Sequence, residues 1–442
     1  MLCNLRSWIE VAAVSHFPVQ NIPFGVFVPH NSNVARGGTA IGDYALDLSG
    51  LYGAGLLQDV GLSSNVFASN SLNEFLKYPK TVWSQTRNRI ISLLQEDGDS
   101  ALKNNQQLLN EVLFPLNQVT MLMPFEVKEY TDFYASREHA TNVGIMFRGV
   151  ENALQPNWLH VPIGYHGRAS SVVVSGTDII RPCGQLQKNA AEPKDGSVFG
   201  PSRLLDFELE LGAVIGGDAN PLGQPLTLEE AEQRIFGIVL LNDWSARDVQ
   251  AWEYVPLGPF TAKNFATSIS PWIVTIDALE EFRCSSSEGA TQSNPVPLDY
   301  LRDPDYHRGF FDINLEVQIA DKEDNPDTQS SVVSRTSSKY LYWNMKQQLA
   351  HHSVTGASMR PGDLLGTGTI SGKDASAFGS MLELSWRGAK EVPLANSSKP
   401  NNIRKFLQDG DTVVMTGFAQ AEGYRVGFGE VRGKILPARL PK

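Results

Sequence analysis

Cysteine is scarce in this chain. Three occur, Cys3, Cys183 and Cys284, odd in number, far apart and without a CxxC pair, which excludes a disulfide framework and a zinc ribbon and points to a reducing compartment. Long apolar runs are missing too, since nothing approaches the ~20 consecutive residues that cross a bilayer. The N-terminus mixes Arg6 and Glu10 into a polar stretch and lacks a charged start, an apolar core and a small-residue cleavage site, so no signal peptide is expected. Leu440-Pro441-Lys442 matches no targeting signal. Positive charge is in deficit. The net charge of −11 argues against nucleic acid or an anionic membrane as partner. No internal repeat is visible. Residues 356–383 are glycine-rich around Thr369, yet neither GxGxxG nor GxxxxGK[ST] occurs there, which argues against nucleotide binding.

What remains is an ordinary soluble composition, 42% apolar and 19% charged over 442 residues, long enough that two domains are expected. Residues 1–60 hold short extended pieces broken by Gly and Pro, at 24–27 and 39–48, the pattern of a small barrel or sandwich. Helical spacing follows at 88–95 and 101–112 and ends at Phe114-Pro115-Leu116. A domain boundary is therefore expected near residue 118, dividing 1–118 from 119–442. Beyond it the chain reads as mainly β, with strands at 171–174, 205–215, 236–242, 272–276, 312–320 and 412–417. The clearest helix, 228–236, is opened by Thr227 with Glu230 three residues on, the spacing of a capping box. Residues 283–294 and 321–338 are polar and turn-rich and read as excursions from a sheet.

The chemistry gathers around Leu205-Asp206-Phe207-Glu208-Leu209-Glu210-Leu211. Strict alternation puts Phe207, Leu209 and Leu211 on one strand face and Asp206, Glu208 and Glu210 on the other. Three carboxylates in a row repel one another unless they meet bulk water or a cation, so the face is either solvated or a site for a hard divalent ion. Between Thr131 and Ala140, Asp132 fits an N-cap, and His139 is either a helix-surface histidine or a base. In Leu240-Leu241-Asn242-Asp243-Trp244-Ser245-Ala246-Arg247-Asp248 a strand enters a polar turn; one of Asp243, Ser245 and Asp248 suffices as a cap, and the surplus acids call for a second role. Met381-Leu382-Glu383-Leu384-Ser385-Trp386 reads as another alternating strand, with Glu383 facing solvent.

Longer blocks carry a resemblance. Asp132-Phe133-Tyr134, His139-Ala140-Thr141-Asn142, Gly164-Tyr165-His166-Gly167-Arg168, Asn242-Asp243-Trp244-Ser245-Ala246-Arg247-Asp248, Trp252-Glu253-Tyr254-Val255-Pro256-Leu257-Gly258-Pro259-Phe260 and Gly368-Thr369-Ile370-Ser371-Gly372 are similar to the fumarylacetoacetate hydrolase family. The likeness runs from Phe17-Pro18-Val19-Gln20-Asn21 to Gly427-Phe428-Gly429, interrupted mainly at 283–308 and 321–335. It implies a small SH3-like β-barrel domain with a helical linker, then a large catalytic β-roll, in a cytoplasmic homodimer. It further implies metal-dependent hydrolysis of the carbon–carbon bond of a 1,3-diketone acid in tyrosine and phenylalanine breakdown.

Residue by residue, the resemblance implies Ca²⁺ among Asp132, Glu208, Glu210 and Asp243, and Mg²⁺ beside Asp243, Lys263 and Thr267. A protonated lysine cannot ligate a metal, so Lys263 would offer its backbone carbonyl. His139 matches the general base and Glu383 the carboxylate that orients it. Arg247, Gln250 and Lys263 match donors to a departing carbanion; the alternative for Arg247 and Gln250 is a surface pair on a helix. Tyr134, Arg148, Tyr165, Gln250, Tyr254 and Thr369 match substrate contacts, with Arg148 suited to a carboxylate end. Asp206 is not a metal ligand in that pattern. Rival functions are the decarboxylase, isomerase and acylpyruvate hydrolase activities of the wider superfamily, and a non-catalytic metal scaffold. Those relatives generally lack the N-terminal domain and the Asp132-to-His139 block, and a dead scaffold needs none of His139, Glu383, Arg247 and Lys263.

Overall fold

A five-stranded antiparallel sheet opens the chain, in the order Leu113–Pro115, Tyr44–Asp47, Arg36–Ile41, Phe24–Pro29, Val119–Met121. The computed structural model describes residues 5–189 and 191–440; Cys3, Pro441 and Lys442 fall outside them. The run expected as one piece at 39–48 is a hairpin, because Gly42 at φ +54° takes the left-handed conformation that a tight turn requires. Helices Lys80–Leu94 and Gln106–Val112 connect this sheet, the second capped by Asn105 accepting from the Leu108 N–H. Among the described residues no helix is long and apolar enough to cross a membrane.

The remainder is mainly β, in two curled sheets. One runs Gly164–His166, Tyr130–Phe133, Leu364–Gly366, Leu209–Ile215, Ile235–Asp243, Thr267–Ile269, Val172–Val174, with Val274–Thr275 also on Ile235–Asp243. The other runs Ser331–Ser337, Asn314–Ala320, Thr412–Gln420, Arg425–Leu436, Ile179–Ile180. Leu240 of the first packs among Leu315, Met415 and Phe428 of the second. Gly417 makes that possible, since a β-carbon there would come within 2.8 Å of Leu240.

The Ile235–Asp243 strand is buried along its whole length, because each face has its own core. Ile238 and Leu240 join the core between the two curled sheets, while Phe236, Val239 and Leu241 join the core shared with the N-terminal region. Phe24 and Phe75 each meet Phe236 with ring centroids 5.7 Å apart. Such aromatic pairs contribute about 0.5–1.5 kcal/mol each beyond area burial, and they fasten the small sheet, through Phe24, and the helix Asn73–Leu76, through Phe75, to the strand that ends in Asp243.

Several local expectations change. The stretch 205–215 is not one strand: Leu205–Asp206 pairs with Ser245–Ala246, and pairing resumes at Leu209–Ile215. Residues 272–276 give only Val274–Thr275, after which the Thr275 hydroxyl caps the helix Ile276–Leu279. Residues 321–338 are not wholly an excursion, because Ser331–Ser337 pairs with Asn314–Ala320. The helix opened by Thr227 ends at Arg234, with both arms of its capping box formed.

Candidate active site

Three strand ends deliver the acids. Asp132 lies beside Gly366 across a parallel pair, and Gly366 lies beside Gly212 across an antiparallel one. Leu209 pairs with Asn242, which brings Glu208, Glu210 and Asp243 to the same end of the sheet. Carboxylate oxygens of Asp132, Glu208, Glu210 and Asp243 all lie within 4.8 Å of one another, and all four side chains are buried. Asp132 is therefore a strand residue and no helix cap; Ser136 precedes the helix Arg137–Arg148. Nor does Asp243, Ser245 or Asp248 cap Arg247–Glu253, whose first turn follows Ala246 with no side-chain cap. The acidic face of the 205–211 stretch meets no bulk water: Asp206 and Glu210 are 0% exposed.

Glycine makes the room. A β-carbon on Gly366 would lie 2.9 Å from Glu210 Oε2 and 3.1 Å from Asp132 Oδ1, in the space the carboxylates use. Gly368, at φ +81°, turns its N–H onto Glu210 Oε2 at 2.9 Å. The glycines around Thr369 thus let the backbone approach carboxylates closely.

Two cations serve the four acids unevenly. Lys263 Nζ donates to Asp243 Oδ2 at 2.7 Å and to Glu208 Oε2. Arg247 Nη2 donates to Glu208 Oε1 at 2.6 Å. Tyr165 Oη and Thr267 Oγ1 donate to the two oxygens of Asp243 at 2.9 and 3.2 Å. Burial opposes ionisation of Glu208, but Arg247, Lys263 and His139 together outweigh it and hold the carboxyl well below the usual range. Burial first, then the neighbouring acids, push Asp132 and Glu210 well above that range. Asp132 Oδ1, Glu210 Oε1 and Thr369 Oγ1 are buried without a hydrogen-bond partner. Unpaired buried carboxylate oxygens among hard donors are what a divalent cation requires, so the set fits one.

His139 is buried, not on the helix surface, and its Nδ1 lies 2.7 Å from Glu383 Oε2. Glu383 is not on a solvent-facing strand; it sits in the short helix Met381–Leu384, 1% exposed. Three more donors hold its carboxylate: Asn142 Nδ2 at 2.9 Å, Ser371 Oγ at 2.9 Å and Ser380 Oγ at 2.8 Å. Burial opposes ionisation of Glu383 too, and His139 with these donors overcomes it, lowering the carboxyl below its ordinary value. None of Asn142, Ser371 and Ser380 was expected in a functional role. Signals existed for two of them. His139-x-x-Asn142 puts both side chains on one helix face, and Ser380-x-x-Glu383 is the spacing of a capping box.

Arg247 and Gln250 are not a surface pair. Arg247 is buried and spends Nε on Asp206 at 2.8 Å and Nη1 on Gln250 Oε1 at 3.1 Å. With its oxygen taken, Gln250 has its NH₂ left to donate. Arg148 gives Nε and Nη2 to the carbonyls of Asn152 and Ala153, at 3.1 and 2.8 Å.

These groups open on one cavity of about 340 Å³. Asp132, Glu208, Glu210, His139, Arg247, Gln250, Lys263, Tyr134, Arg148, Tyr165, Tyr254 and Thr369 line it. Asp243 and Thr267 stand behind Lys263 and Tyr165, and Glu383 stands behind His139. Phe147, Ile163 and Leu257 supply an apolar wall. The Tyr134 ring meets the His139 ring edge-on, centroids 5.4 Å apart.

Residues 20–124 match the family described as fumarylacetoacetase N-terminal, and residues 128–436 match fumarylacetoacetate (FAA) hydrolase C-terminal. Fumarylacetoacetase of Dictyostelium discoideum is 51% identical over 435 residues, covering 98% of each chain. Fumarylacetoacetase of Homo sapiens is 47% identical over 436 residues, covering 98% of this chain and all of that one, 100%. Among solved structures, a fumarylacetoacetate hydrolase from Exiguobacterium antarcticum superposes with a TM-score of 0.50 at 18% identity, over 95% of this chain and 100% of that one. That likeness concerns the fold.

Proposed function

The chain belongs to the fumarylacetoacetate hydrolase family, and from that premise we propose how its residues divide the work of hydrolysing 4-fumarylacetoacetate to fumarate and acetoacetate in tyrosine and phenylalanine breakdown. One observation carries the division of roles: the His139–Glu383 pair, the acid cluster and the Arg247–Gln250 pair all address a single cavity.

Asp132, Glu208, Glu210 and Asp243 hold Ca²⁺, and Asp243, Thr267 and the Lys263 carbonyl hold Mg²⁺. When bound, the divalent cation supplies charge that polarises the substrate carbonyl. The carbonyl reading of Lys263 is supported by its ammonium, two of whose three N–H bonds go to Glu208 and Asp243. Glu383 keeps the proton of His139 on Nδ1, which leaves Nε2 to take a proton from water as that water attacks the carbonyl next to the double bond. The tetrahedral adduct then breaks its carbon–carbon bond and expels acetoacetate as an enolate. Carbon is a poor leaving group, so donors must stand where that charge appears, and the Gln250 NH₂ and the Lys263 ammonium are the candidates, backed by Arg247. Arg148 takes a terminal carboxylate, and Tyr134, Tyr165, Tyr254 and Thr369 position the chain of the substrate.

The division of the chain near residue 118 belongs to the same reading, with Val119–Met121 reaching back onto the small sheet. So do the homodimer and the cytoplasm, where the free thiols of Cys183 and Cys284 suit a reducing milieu. Turnover of fumarylacetoacetate in H₂¹⁸O tests the reaction. Label is expected in the new carboxylate of fumarate, and CO₂ release or unlabelled fumarate would defeat it.

A further inference from the structure

We propose that Asp206, to which the reading above gives no role, is a positioning residue that aligns the general base and the leaving-group donors from one carboxylate. The inference rests on that reading of the site. Asp206 is wholly buried and faces three donors. Its Oδ2 accepts from Arg247 Nε at 2.8 Å and from the Leu382 N–H at 3.0 Å, and its Oδ1 accepts from the Met381 N–H at 2.7 Å.

The donors lead into the chemistry by two routes. Met381 and Leu382 are the first two residues of the helix Met381–Leu384, and the next is Glu383, the carboxylate on His139. Those N–H groups have no partner inside so short a helix, so Asp206 supplies the acceptor that fixes the helix start. Through Arg247 the same carboxylate reaches the other side of the cavity. With Nε anchored on Asp206, the guanidinium plane is set, and its remaining nitrogens meet Glu208 Oε1 and Gln250 Oε1 at 2.6 and 3.1 Å. Gln250 thereby has its NH₂ left for the departing fragment.

An asparagine keeps the shape but not the function. Three N–H donors converge on two acceptor oxygens, and an amide would set its own NH₂ against one of them. Loss of either anchor lets the base or the donor drift, and a misplacement on the scale of 1 Å costs on the order of 10²-fold in rate.

The test is a double-mutant cycle on the metal-loaded protein, with kcat, KM and Ca²⁺ affinity by calorimetry as readouts. Asp206→Asn is expected to lower kcat on the order of 10²-fold, with KM and Ca²⁺ affinity close to those of the wild type. A positioning residue acts through its partners, so adding Asp206→Asn to Glu383→Gln, where only the Arg247 route is left to lose, should cost less than it costs the wild type. Unchanged kcat in Asp206→Asn, or losses that multiply in the double variant, would overturn the proposal. Should Asp206→Asn alone fail to fold, Asp206→Asn/Arg247→Met removes both members of the pair, and Glu208 keeps Lys263 as its cation. Compared with Arg247→Met, that variant should lose further kcat through the untied helix; equal rates would refute that route. Wild-type protein runs in the same assay. No wild-type turnover would indict the reaction assigned above, whereas normal wild-type turnover with multiplicative losses would indict Asp206 alone.

Discussion

Two buried charge clusters in this protein differ in how their charges balance. Around Arg404, acids and cations match: Nε and Nη2 reach Asp411 at 2.8 and 2.7 Å, Nη2 also reaches Asp321 at 2.6 Å, and Lys399 adds a bond to Asp321 at 2.8 Å. Burial opposes ionisation of Asp321, but Lys399, Arg404 and Asn402 overcome it and hold the carboxyl below its usual range. At the cavity, Asp206, Glu208, Asp243, Asp132 and Glu210 share Arg247 and Lys263, with His139 Nε2 3.9 Å from Glu208, and the last two acids keep unpaired oxygens. Burial is common to both. The uncompensated charge is what marks a site that takes a ligand.

That contrast breaks most readily at the metal. Chelation, or Glu210→Ala, should abolish turnover and lower the melting temperature, because a ligand bound only to the folded state stabilises it. Add-back of Ca²⁺ or Mg²⁺ should restore both in the wild type and neither in the variant. Full activity in exhaustively demetallated protein would mean that the surplus of acid serves something else.

The balanced cluster should answer in a different currency. Arg404→Met leaves two buried carboxylates short of a partner, and breaking a buried pair costs about 3–5 kcal/mol of stability. Urea denaturation should show that loss while kcat of the folded fraction stays at the wild-type level. A selective fall in kcat would erase the distinction between the clusters.

Within the cavity, single groups should matter on the order of 10²-fold each. Glu383→Gln should lower kcat with little change in KM, since the carboxylate only holds and charges His139. Gln250→Leu should do the same by removing a donor to the leaving group. A rise in KM at constant kcat in either variant would turn that residue into a plain substrate contact.

How much of this was legible in the sequence depends on the range of the contact. Glu208 and Glu210 are two residues apart in an alternating run, so their shared face follows from that alternation alone. Asp132 and Asp243 joined them only through the family likeness, because nothing local announces a contact across a sheet. The burial of the acidic face was not legible either, since alternation gives parity and not what lies on each side. Glu383 shows a period misread: Met381-Leu382-Glu383-Leu384 alternates like a strand, yet Ser380 three residues before it starts a helix. Asp206 was hidden by distance, since its backbone partners lie 175 and 176 residues downstream. Fold class was the most legible part, carried by many short runs between turn residues, each independent of the next.

A half-buried group shows what happens when the neighbouring charge has the same sign. His16 lies where the N-terminal arm crosses the Arg425–Leu436 strand; the Gly429 N–H donates to its Nδ1 at 3.1 Å, and the charge acting on it is the cation Arg425. Burial first, then Arg425, push the imidazole down to about 4, so the protein keeps it neutral where the cavity instead calls in a metal. The sign of the stability effect follows. The unfolded chain takes up a proton near pH 6.5 that the folded chain refuses until about pH 4, so this contribution is intact above pH 6.5 and is lost as pH falls toward 4. Between pH 7 and pH 5 the loss amounts to about 2 kcal/mol. Denaturation of metal-loaded protein at the two pH values, for wild type and His16→Gln, isolates it. Glutamine can accept from the Gly429 N–H but cannot titrate, so its difference between the two pH values should be smaller by that amount. Parallel losses in both proteins would show that His16 pays no penalty for its cationic neighbour, and that charge balance is enforced only where an unpaired acid meets an open cavity.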